Sequence, residues 1–304
     1  MPPTLVLPTQ ERQTPLPSSV VEATPTALLT ATSEAPICAE GWCANAGWFH
    51  LARPINPPYT DSIDPTYRFG AIREGEKDRH TGVEFKNSAG TPVLAVADGE
   101  VIIAGESSDG APFAPYPGMY GQVVVLRHTS PEGTPYIYTL YAHLSRIDVL
   151  VGENLKAGDV LGAVGMTGYA TGSHLHFEVR QMDNTYLRAI NPELFLMPHL
   201  NAEGQSNGGL AGQINDTPGY IKTMDISLQR LADASQPAGS ILYPAWYPAS
   251  FLSTQENFAL GDLPPGQYRI AVTAYAQVFV KIVPVYPGRL TTFAIDLKLL
   301  PSTP

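Results

Sequence analysis

Glycine and proline interrupt this chain so often that long helices have little room to form. There are 27 glycines and 29 prolines among its 304 residues. Each proline removes a backbone donor, and each glycine weakens a helix interior. Between them stand short runs of period-two alternation, the mark of strands with one buried face. Tyr268, Ile270 and Val272 form one such face, and Phe293, Ile295, Leu297 and Leu299 another. The fold class this selects is all-β. The length allows two ordinary domains with their own cores.

Charge narrows the function classes. The formal net charge is −10, whereas a nucleic-acid binder needs a basic stripe to meet phosphates. No run is long and apolar enough to cross a bilayer, so no membrane span is expected. Residues 1–36 contain 17 Pro, Ser or Thr and four charges. Such a segment buries too little apolar surface to offset its ordering entropy, so it reads as a disordered stalk. It lacks the basic start and apolar middle of a signal peptide. Cys38 and Cys43 are the two cysteines, and in an exported protein so close a pair reads as a small disulfide loop.

Next, residues 37–66 are aromatic and Pro-rich without periodicity, and are expected to wrap the following domain as irregular coil. TPVLAVADGEVIIAGE reads as two strands meeting at a hairpin-type signal, Asp98-Gly99. GQVVVLRH and PYIYTLYAHL read as two more around Pro131-Glu132-Gly133. A first domain over 37–200 is followed by a linker, 201–208, and a small β-sandwich over 209–304.

The chemistry-bearing residues lie in the first domain. In TGSHLHFEVR, alternation puts His174, His176 and Glu178 on one face and Leu175, Phe177 and Val179 on the other. Alone, this fits two surface histidines as well as a site, with Glu178 and Arg180 as a surface ion pair. RHTGVEF adds His80 and Glu84, and LYAHLS adds His143. A mononuclear catalytic zinc takes three N or O ligands and keeps one position open. On a straight strand, residues four apart are separated by roughly 13 Å. His80 and Glu84 therefore share a metal only if the chain bends, which Gly82 allows. His128 fits an orienting or a packing role, Tyr138 and Tyr141 the groove or the core, His50 a structural position, and His199 has no evident role.

From about Phe69 to Pro198 the chain resembles the lysostaphin-type zinc metallopeptidases, which cut peptide bonds in bacterial peptidoglycan. The resemblance rests on RHTGVEFKNSAGTPVLAVADGEV, YAHLS, GENLKAGDVLGAVGMTG and TGSHLHFEVR, in the family's order. It implies an antiparallel duplicated-hybrid-motif β-domain holding one Zn2+. His80 and His176 become metal ligands, with Glu84 where the family has aspartate; glutamate is a legitimate zinc ligand elsewhere. His174 becomes the general base toward the attacking water, and His143 stabilises the oxyanion or assists proton transfer. A secreted or cell-envelope monomer with peptidoglycan as partner follows; a non-catalytic wall-binding or hydrolase-regulating member of the fold is the alternative. ENFALGDLPPGQYRIAV and the strands ending in TTFAIDLKL resemble carboxypeptidase-regulatory or transthyretin-like sandwiches. VGENLKAGDVLGAVG also resembles the turns of biotinyl and lipoyl carriers, but Lys156 lacks the flanking methionines such a carrier needs.

Overall fold

The computed structural model describes residues 34–46, 51–71, 79–108, 112–129, 136–201, 204–216, 223–231, 239–244 and 256–297. Most of the stalk, His50, the turn at 131–133 and Leu299 lie outside them. The described residues carry no α-helix; strands and two single-turn 3-10 helices make up the regular structure. Ser33–Pro304 forms one compact unit.

The central sheet is antiparallel. Leu175–Gln181 pairs on one edge with Ile137–Ile147 and on the other with Val83–Phe85 and Ala189–Ile190. Ile137–Ile147 in turn pairs with Gln122–His128, which pairs with Gly99–Glu106. Alternation explains the packing. Leu175, Phe177 and Val179 are fully buried in the main core beside Val83, Phe85 and Tyr141. That leaves the opposite face of the same strand for the polar set.

Asp98-Gly99 is not a hairpin. Pro92–Leu94 pairs with Val160–Val164, while Gly99–Glu106 goes to Gln122–His128. The turn chemistry is used otherwise: the Asp98 carboxylate accepts from the Lys156 ammonium and the Ala157 N–H, at 2.7 and 3.0 Å. It ties the two connecting loops together.

The C-terminal strands form two sheets around a second core in which Tyr268, Ile270, Val272, Phe293, Ile295 and Leu297 are all buried. Pro264 and Pro265 lead from one sheet to the other. The segment expected to wrap the first domain divides. Ile37–Ala39 and Trp42–Ala46 make a hairpin joined by the Cys38–Cys43 disulfide, and Trp42–Ala46 pairs with Arg289–Leu297 of the C-terminal sheet. From Leu51 the described backbone joins the first domain, through the Leu51↔Leu196 bridge and the Ala52 N–H to Val96 C=O bond of 2.8 Å. His199 and Asn207, on either side of the expected linker, are pinned to each other and to the C-terminal strands. The Asn207 N–H donates to His199 C=O and its side-chain amide to Asp262 C=O, at 2.9 and 3.1 Å.

Candidate metal centre

His174 and His176 line an open cleft of about 910 Å³. Tyr59, Thr60, Asn87 and Ser88 stand on one wall and Tyr169 to Ser173 on the other. Thr60 and Asn87 lock the first wall by a reciprocal pair of hydrogen bonds, 3.0 and 2.8 Å. At the cleft floor the structure brings together His80, Glu84, His143, His174 and His176.

The bend between His80 and Glu84 is real, and its local causes are visible. Asp64–Ala71 runs beside the pair. The Asp64 N–H donates to Glu84 C=O, the Gly70 N–H to His80 C=O, and the His80 N–H to Ala71 C=O, all within 2.9 Å. Gly82 is required by close approach rather than by an unusual φ. A Cβ there would lie 2.5 Å from Phe177 C=O and 2.7 Å from the His176 ring. Across the sheet, Glu84 is registered directly opposite His176.

Three acceptor atoms converge. His80 Nε2 is 2.8 Å from Glu84 Oε1 and 3.2 Å from His176 Nδ1, which is 3.1 Å from Glu84 Oε1. The tautomers are fixed from behind. His80 Nδ1 lies 3.0 Å from Arg68 C=O, a pure acceptor, so Nδ1 carries the proton and Nε2 presents its lone pair. His176 Nε2 lies 3.0 Å from Glu178 Oε1, which leaves Nδ1 as the inward lone pair. Glu84 Oε2 is buried and has no hydrogen-bond donor, although His174 Nε2 lies 3.2 Å away. His174 donates its ring proton to Gly172 C=O through Nδ1 at 2.8 Å, so lone pairs face each other here too. Such crowding of buried acceptors is costly unless a cation sits among them. Two imidazole nitrogens and a carboxylate form a donor set suited to zinc, and the residues present fit such an ion.

Electrostatics agree with the geometry. Burial alone would lower the His176 pKa, but the Glu84 and Glu178 carboxylates outweigh it and push it up to about 10. Burial would likewise raise Glu84, yet His176 and His80 hold it well below the carboxylate range. Without a cation, a proton on His176 serves as the counter-charge. His143 behaves oppositely: burial, with His176 and His174 beside it, pushes it down to about 3.

His143 sits at φ +60°, a left-handed conformation that few residues other than glycine adopt, inside Ile137–Ile147. The pairing register with Gln122–His128 shifts across it, between Tyr141 and Leu144. This irregularity re-aims its imidazole. Its ring centroid lies 4.8 Å from that of His174, and Nδ1 donates to Thr167 C=O at 2.8 Å.

Glu178 and Arg180 are not a surface ion pair; both are fully buried. Glu178 Oε1 accepts from Thr81, Tyr120 and His176, at 2.6, 2.8 and 3.0 Å, and Oε2 accepts from Arg180 Nε at 2.7 Å. The Arg180 guanidinium also donates to the Tyr120 hydroxyl at 2.8 Å. Burial would raise the Glu178 pKa, but Arg180 and His176 hold it far below its ordinary value. Tyr67 stacks on His80 with ring centroids 4.0 Å apart. Sequence reasoning missed Tyr67, Thr81 and Tyr120, none of which stands out by pattern or spacing. His128 is outside the cleft, packed between Asp98 C=O and the Thr139 hydroxyl. Tyr141 is core, with its hydroxyl bonded to the Val96 N–H. His199 pairs with Asp61.

Residues 78–192 match the profile of peptidase family M23, so the stretch that builds this centre is an M23 peptidase domain. The DD-carboxypeptidase/endopeptidase Mpg of Neisseria meningitidis serogroup B is 41% identical over 101 residues, 33% of this chain and 20% of that protein. The glycyl-glycine endopeptidase ALE-1 of Staphylococcus capitis is 32% identical over 161 residues, 53% of this chain and 39% of that protein. Among solved structures, the catalytic domain of lysostaphin from Staphylococcus simulans is 32% identical. It covers 41% of this chain and 86% of that one, with a TM-score of 0.35. The protein thus spans well under half the length of these two curated relatives.

Proposed function

We propose that this protein is a zinc-dependent endopeptidase that hydrolyses peptide bonds in bacterial peptidoglycan. The observation that carries the reading is the convergence of His80 Nε2, Glu84 Oε1 and His176 Nδ1, with both imidazole tautomers held from behind. Zinc bound by these three would polarise the scissile carbonyl and make a water more acidic. The M23 domain and relatives named for endopeptidase activity support the substrate class.

The remaining chemistry belongs to the protein. His174 offers a free Nε2 lone pair toward the site, anchored through Nδ1 on Gly172 C=O, and acts as general base toward the attacking water. It then returns the proton to the leaving amine. His143 is neutral at rest and presents Nε2 as an acceptor, because Nδ1–H is bonded to Thr167 C=O. That favours proton transfer over a resting oxyanion donor. The open, largely uncharged cleft suits an extended peptide with small side groups. The Cys38–Cys43 disulfide supports an oxidising location in the cell envelope or outside the cell. The C-terminal strands are read as a transthyretin-like sandwich, and the protein as a monomer.

Zinc-loaded protein incubated with isolated peptidoglycan should release new amino termini, measured by mass spectrometry of the soluble fragments. His174→Ala should bind zinc equally and release none. Zinc-loaded wild type that releases no more than this variant, across walls with different cross-links, would refute the proposal.

A further inference from the structure

We propose that Arg68 is a positioning residue for the metal centre, fixing His80 from behind and anchoring it to the C-terminal strands. This rests on the metal reading of the site. The Arg68 backbone C=O accepts from His80 Nδ1 at 3.0 Å and from the Ala71 N–H at 3.1 Å. Its guanidinium is buried and forms an ion pair with Glu193. The same group approaches Gly261 C=O at 3.4 Å, on the Phe258–Leu263 strand.

That strand is seated firmly. Glu193 Oε2 accepts the Gly261 N–H at 2.6 Å, and the Asn191 amide donates to Ala259 C=O at 2.9 Å. A Cβ on Gly261 would stand 3.2 Å from the Glu193 Cβ and backbone oxygen, so the two segments meet with no spare room. Glu193 is fully buried. A continuous set of contacts therefore runs from Gly261 through Glu193 and Arg68 to the proton on His80 Nδ1. The C-terminal strands are part of what orients a metal-facing nitrogen, and not a detachable module.

The acceptor for His80 is a backbone carbonyl, so substitution at 68 does not remove it. Only its placement changes. A neighbouring buried ion pair, Arg53–Asp262, ties another part of the chain to the same Phe258–Leu263 strand and involves no residue of the metal centre. It supplies the control.

The experiment uses the full-length protein, stripped of metal, with zinc affinity measured by chelator competition and the visible spectrum of cobalt(II) as a probe of ligand geometry. Arg68→Gln and the milder Glu193→Gln should weaken zinc binding about tenfold or more, the range seen when partners behind a ligand are altered. Both should shift the cobalt spectrum. Arg53→Gln should lower the melting temperature by a similar amount yet leave affinity within about twofold and the spectrum unchanged. Equal loss of affinity in all three variants, or none in Arg68→Gln and Glu193→Gln, overturns the proposal. Wild type that binds no metal fails the metal reading itself, and the positioning role with it.

Discussion

Replacing Arg180 by methionine isolates the buried charge network beneath the metal centre. The guanidinium is fully buried and makes a charge-assisted bond to Glu178, a bond to the Tyr120 hydroxyl, and bonds to Asn184 at 3.1 and 3.2 Å. Methionine fills much of the volume against the Phe113 ring, 5.0 Å away, but takes the guanidinium from Glu178 Oε2 and leaves that buried carboxylate with His176 as its one charged partner. Breaking a buried pair from one side costs about 3–5 kcal/mol. At about 2–4 °C per kcal/mol for a unit of this size, the melting temperature should fall by roughly 6–20 °C. Adding Glu178→Gln removes the carboxylate charge that has lost its guanidinium. The double variant should cost less than the sum of the singles by about 1–3 kcal/mol, the coupling expected of contacting residues. Zinc affinity should not recover, because His176 Nε2 has lost its carboxylate in both Glu178→Gln proteins; about 10–100-fold is the usual penalty. Urea unfolding of the metal-free proteins, with chelator competition alongside, reads both quantities. Additive stability losses, or a double variant that binds zinc like wild type, would refute the reasoning.

Zinc binding at pH 7–8 should displace about one proton, since metal-free His176 is held protonated with its pKa pushed up to about 10. Calorimetry in buffers of different ionisation heat measures it, and apparent affinity should rise about tenfold per pH unit in that range. The same raised pKa contributes stability to the metal-free protein that is full below about 6.5 and lost as pH rises through about 10. Gly82→Ala should cost about 1–3 kcal/mol in unfolding experiments, because its Cβ meets Phe177 C=O and the His176 ring. It should also weaken zinc binding. His143→Gly suits the φ of +60°, so it should keep its melting temperature while turnover drops on the order of 10²-fold or more.

The alternation in HLHFEVR made the strand, its buried face and the inward histidines legible, because a period of two leaves one arrangement once a core is present. Whether a further layer of protein covers the polar face is a different matter. Glu178 and Arg180 are covered by Thr81 and Tyr120, which lie 97 and 58 residues from Glu178, and no local pattern reports that. The same polar letters would serve an exposed ion pair. Asp98-Gly99 misled for a related reason: its carboxylate is engaged by a loop 59 residues on. The Ile37–Ala46 hairpin pairs with a strand nearly 250 residues away. Its short, cysteine-bearing run gives no sign of that partner. Gly82 was legible as special, but the reason was packing rather than the bend alone.

The metal centre rests on three ligand atoms. Crystals of the zinc-loaded protein, measured on both sides of the zinc absorption edge, should show one anomalous peak within about 2.0–2.2 Å of His80 Nε2, His176 Nδ1 and a Glu84 carboxylate oxygen. An ion bound elsewhere, or one held by the two histidines with Glu84 turned away, would contradict it.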